Sequence, residues 1–140
     1  LGSFLLSHVF YILMISRNLK LSSIKQKIAV SIPFVILFSL LLFVLKDSLG
    51  AMLIPVVVYG LVISLFGAVA LLNYRLEKTK PAMVLLIGAI LFIVSDSILA
   101  INKFYAPMAI LAISVMITYI AAQYFICSAV IQTENNKVKG

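Results

Sequence analysis

The chain has 140 residues, 64% of them apolar and only 11% charged, far from the roughly 45–50% apolar and 25% charged of a soluble domain. That balance excludes a soluble enzyme or nucleic-acid binder. The net charge of +7 does not change this, because the basic residues crowd between apolar runs and read as membrane topology. The single cysteine likewise excludes a disulfide framework or a cysteine-based metal site.

The apolar runs are 15 to 26 residues long, and about 20 residues carry a helix across ~30 Å of hydrocarbon. The ~10-residue alternating segments of a membrane barrel are absent. The expected fold is therefore all-α, a polytopic transmembrane helix bundle with helices at about 1–16, 28–46, 50–73, 81–101 and 106–131. Together these make one transmembrane domain over 1–131, followed by a polar tail at 132–140.

The first run, LGSFLLSHVFYILMIS, has no initiator methionine, charged leader or small-residue cleavage site and is short for a full span. It is expected to start inside a helix of a longer protein. His8 and Tyr11 stand at i, i+3 on one of its faces. A lone membrane histidine is either a catalyst or a hydrogen bonder between helices, and both readings stay open.

Pro33 and Pro55 sit about a turn inside the second and third runs and are expected to kink them. The third run carries Tyr59, and GLVISLFGA places Gly60, Ser64 and Ala68 at every fourth position, the small-residue spacing of closely packed membrane helices. Tyr74 and Tyr105 fall at membrane edges and read as interfacial anchors.

The fourth run starts at Pro81 and contains GAILFIVSDSILAINKF at 88–104. Asp96 is one of four acidic residues and lies about five residues, or ~8 Å, from the helix end. That is too deep for its short side chain to reach water, and a charge there costs on the order of 2.5–3.5 kcal/mol, so it is expected to face the bundle interior and mark function. Gly88, Ala89, Phe92 and Ala100 share its face, and Ser95 and Ser97 flank it. The bland reading is an aspartate that only pins two helices together.

Pro107 marks the start of the fifth run, where TYIAAQYF puts Tyr119 and Gln123 at i, i+4 beside small residues such as Ala112 and Ala122. Cys127 reads as a small core residue, and the tail QTENNKVKG as disordered. Nine of the eleven basic residues lie at 17–27, 74–80 and the C-terminus, and only Lys46 and Lys103 in the other turns. The positive-inside rule then makes the protein multi-pass with a cytoplasmic C-terminus. An odd number of upstream helices would return the N-terminus to the cytoplasm. Asp96, His8, Tyr59, Tyr119 and Gln123 supply polar groups on four helices at similar depth, and a shared polar pocket accounts for them together.

FLLSHVFYI, then GAILFIVSDSILAINKF, then YIAAQYFI resemble the YhhN-like family of lysoplasmalogenases over essentially the whole chain. The resemblance implies a protein of about eight helices, of which these are the last five, in a bacterial inner or plasma membrane. It implies an enzyme that hydrolyses the vinyl ether bond of lysoplasmalogens to a fatty aldehyde and a glycerophospho-head group by carboxylate general acid–base catalysis. Asp96 and His8 are then the catalytic candidates, and Ser95, Ser97, Tyr11, Tyr59, Tyr119, Gln123 and Asn102 the substrate-binding ones. The family pattern also includes a Gly-Asp segment on an upstream helix, and no second intramembrane carboxylate occurs in this chain.

The implied partners are a lysophospholipid-like substrate and the membrane, not nucleic acid, and no cofactor is implied. One histidine and one aspartate are too few to hold zinc. Two other classes compete: a small proton-coupled transporter with Asp96 as its protonation site, which commonly shows internal repeats that are absent here, and a scaffold without chemistry.

Overall fold

The computed structural model describes residues 8–13 and 22–139. Every regular element among them is helical: α1 at 8–13, α2 (Ile24–Leu49), α3 (Leu53–Glu77), α4 (Lys80–Phe104) and α5 (Ala109–Lys139), with one 3-10 turn, Gly50–Met52, joining α2 to α3. The described residues thus hold four full helices, not five. Of the helix expected at 1–16 only the stretch 8–13 is described, and the rest lies outside the described residues.

Three described segments are long and apolar enough to cross a membrane: Ile24–Glu77, which holds α2 and α3, then Lys80–Phe104 and Ala109–Asn136. At 1.5 Å per residue, a helix of 25 residues reaches ~38 Å, more than the ~30 Å of hydrocarbon. Ile36, Leu40, Phe43, Leu61 and Ile117 are large, apolar and exposed. Such a surface suits lipid tails, not water.

The helix ends have local causes. At the start of α2 the Ser23 N–H donates to the Gln26 side chain at 3.2 Å, satisfying a donor that the helix leaves open. The α2–α3 turn is made at Gly50, whose φ of +48° favours a residue without Cβ. Pro55 is the third residue of α3, so its missing N–H falls in the first turn and not a turn deeper as expected. Pro33 does lie inside α2.

Thr79 caps α4 by accepting from the Ala82 N–H at 3.4 Å, with Pro81 in the first turn. Pro107 lies in the α4–α5 turn, two residues before α5 begins. In that turn the Asn102 Oδ1 accepts from the Met108 N–H at 2.7 Å. The tail expected to be disordered continues α5 to Lys139. No glycine or proline interrupts it, and the Thr133 hydroxyl donates to the Ala129 carbonyl at 2.8 Å.

α4 packs most extensively on α5, α2 on α3, and α3 on α4, with a smaller α2–α4 contact. The α4–α5 approach needs Gly88: an added Cβ would stand 3.0 Å from the Ile126 nitrogen and 3.2 Å from the Ala122 oxygen, both backbone atoms. Phe66, Ala89, Phe92, Ala122 and Ile126 are at most 1% exposed and centre the core. Cys127 is corrected from core to surface, because the buried positions of α5 are Ala122, Ile126 and Ala129 and Cys127 is rotated ~100° from Ile126.

Candidate functional site

Three helices turn one face each toward a common space. On α2 that face is Phe34, Leu37, Phe38 and Leu41, and on α3 it is Val56, Tyr59, Gly60 and Ile63, both with the i, i+3, i+4, i+7 spacing of a helical stripe. On α4 it is Phe92, Asp96, Ala100 and Lys103, and α5 adds Val115 and Tyr119. The space is a cavity of about 420 Å³, inside the range of small-molecule sites. Its wall is hydrocarbon and aromatic apart from Asp96, the serines 64, 95 and 97, two tyrosines and Lys103.

Asp96 is half-buried. Its Oδ2 is enclosed and has no hydrogen-bond partner among the described residues. Tyr59, on α3, lines the same cavity as this carboxyl group. Enclosed polar oxygens are nearly always satisfied, and an exception calls for an account such as a catalytic role, a water or an ion. The buried Gly88, Ala89 and Phe92 lie below Asp96 on its own helical face, as the spacing predicts.

Of the residues singled out in the sequence, Ser95, Asp96, Ser97, Tyr59 and Tyr119 come together at the cavity. Two of their hydroxyls are already committed to structure. Ser95 is 1% exposed and donates to the Val115 carbonyl of α5 at 3.1 Å, while Ser97 donates back to the Ile93 carbonyl of its own helix at 2.8 Å. The Tyr119 ring stands 5.9 Å from that of Phe92.

The other four residues lie elsewhere. His8 is 1% exposed and sits in an aromatic cluster, its ring 4.2 Å from Phe92, 5.1 Å from Phe66 and 6.2 Å from Tyr11. Phe92 also lines the cavity, so His8 touches a ring of the cavity wall without lining the cavity itself. The Tyr11 ring lies 6.0 Å from that of Phe66, tilted against it. Gln123 is half-buried on α5 outside the cavity wall, and Asn102 braces the α4–α5 turn. Gly60, read from the sequence as a packing residue, does pack: an added Cβ would collide with the Phe38 ring.

Lys103 was not among the sequence candidates. The signal was present in its spacing, seven residues after Asp96 and therefore two turns along the same face. Ser64, on the α3 face, was read only for its size.

Residues 1–130 match the model of the YhhN family. No curated protein and no solved structure shows a match.

Proposed function

The chain belongs to the YhhN family, and from that premise we propose that it is an integral membrane hydrolase that cleaves the vinyl ether bond of lysoplasmalogens. The observation that carries the reading is the Asp96 carboxyl in the wall of an otherwise apolar cavity, among helices long enough to span a bilayer. A hydrocarbon-lined space admits a lipid chain, and vinyl ether hydrolysis needs one well-placed proton donor.

In this reading the Asp96 carboxyl gives its proton to the β-carbon of the vinyl ether. The double bond's electron pair forms the new C–H bond, leaving an oxocarbenium ion across the α-carbon and the ether oxygen. Water adds at the α-carbon and yields a proton to the carboxylate, and the hemiacetal collapses to fatty aldehyde and the free glycerol hydroxyl. The reaction consumes one water and restores the acid.

An apolar wall surrounds the carboxyl group. The Tyr59 hydroxyl orients the group. A second carboxylate on an upstream helix, which the family pattern supplies, would share the water-activating role as paired carboxylates do in glycoside hydrolysis. His8 acts through its contact with the Phe92 ring in this scheme.

The test is aldehyde release from a lysoplasmenyl lipid by the complete protein in detergent or vesicles, wild type against Asp96→Asn at matched folded yield. Release that is lost in the variant supports the reading. Well-folded wild type that releases no aldehyde from any of several head groups removes it and directs attention to transport.

A further inference from the structure

We propose that Lys103 recognises the phosphate of the lipid, holding a single-chain glycerophospholipid with its reacting carbons beside Asp96 and its hydrocarbon chain toward Phe34, Ile63 and Phe92. For the reaction this rests on the hydrolase reading; for the binding it rests on the cavity alone.

The cavity is graded along its length. One turn below Asp96 on α4 stands Phe92, and one turn below Tyr59 on α3 stands Ile63, with Phe34 of α2 opposite. That end offers no charge, so a phosphate placed there would lose its solvation without compensation. Two turns above Asp96, about 10 Å along the axis at 1.5 Å per residue, Lys103 lines the other end, in the last turn of α4.

Lys103 is exposed in the last turn of α4, a position where a lysine can lay its stem on apolar surface and keep its ammonium in water. Among the described residues the ammonium meets the Phe104 ring, 5.4 Å from its centroid. Lysine binds phosphate as a point charge. The reach from Lys103 to Asp96 is comparable with the chain of bonds from the phosphorus through glycerol to the vinyl carbons. A phosphate held at Lys103 therefore puts the vinyl ether at the carboxyl, and the alkenyl chain continues into the apolar end.

Binding separates this role from catalysis. The probes are a 1-O-alkyl lysophospholipid, whose saturated ether has no double bond to protonate, and the matching 1-O-alkylglycerol, which lacks the phosphate. Both are titrated onto the complete protein as wild type, Lys103→Gln and Lys103→Arg. Lys103→Gln should weaken the lysophospholipid at least about tenfold and leave the alkylglycerol within about twofold, with Lys103→Arg close to wild type.

Glycerol 3-phosphate, with no chain, should compete poorly; competition equal to that of the lipid would make this a site for soluble phosphate and overturn the inference. Equal weakening of both lipids, or of neither, would also overturn it. Aldehyde release provides the separate control. A wild type that releases none but keeps the binding contrast fails as a hydrolase while phosphate recognition stands. Release whose KM is unmoved by Lys103→Gln leaves the hydrolase and removes Lys103 from it.

Discussion

Tyr59 on α3 and Asp96 on α4 face one cavity, and the carboxyl's Oδ2 is enclosed without a hydrogen-bond partner among the described residues. The two residues bring polar groups from two helices to one apolar space. Asp96→Asn keeps the size and most of the packing but cannot donate an acidic proton. Aldehyde release should fall by about 10²–10⁴-fold, the usual worth of a general acid, with the melting temperature in detergent little changed. An Asp96→Asn protein as active as wild type would remove Asp96 from the chemistry.

Tyr59→Phe removes only the donor. A hydrogen bond to a carboxylate is worth about 1.5–3 kcal/mol, so turnover should drop at least about tenfold. The loss should largely vanish when Asp96 is already asparagine, because the two groups act as one unit. Additive losses in the double variant would mean that the phenol acts elsewhere.

Gly60 lets the Phe38 ring lie against the α3 backbone at the cavity edge. In Gly60→Ala the ring must swing away, and the space it takes comes from the cavity. The expected result is a preference shifted toward shorter alkenyl chains, read from kcat/KM over a chain-length series. An unchanged profile with intact folding would show that the ring moves outward toward lipid.

Gly88→Ala presses on backbone at Ile126 and Ala122, which cannot rotate aside. Overpacking of this kind costs about 1–3 kcal/mol, so thermal unfolding should come markedly earlier. Gly60→Ala, facing a side chain that can move, should cost less, and the reverse order would contradict the packing of α4 on α5.

Ser95→Ala deletes the hydroxyl bond to the Val115 carbonyl between α4 and α5. Bonds of this type in membrane helices average ~0.6 kcal/mol. A small loss of stability with turnover nearly unchanged is expected, and a large loss of turnover with stability intact would return Ser95 to the substrate.

The residues alone determined the class of the molecule. Long apolar runs with few charges can satisfy their backbone in lipid only as helices, so an all-helical membrane protein followed from composition, and prolines, glycines and polar turns placed the helix ends to within several residues. Asp96 stood out for the same reason, since a carboxyl in such a run needs a purpose. The extension of α5 to Lys139 was hidden because the tail's polar residues carry no apolar stripe, although none of them breaks a helix. Only the tertiary structure decided which polar groups share a space. Depth along separate helices is readable from residue counts, but the rotation of each helix about its axis is fixed by contacts with its neighbours, and nothing local encodes it. Packing turned Tyr59 and Tyr119 to the side of the cavity that Asp96 occupies, and it turned His8 and Tyr11 toward Phe66 in the core.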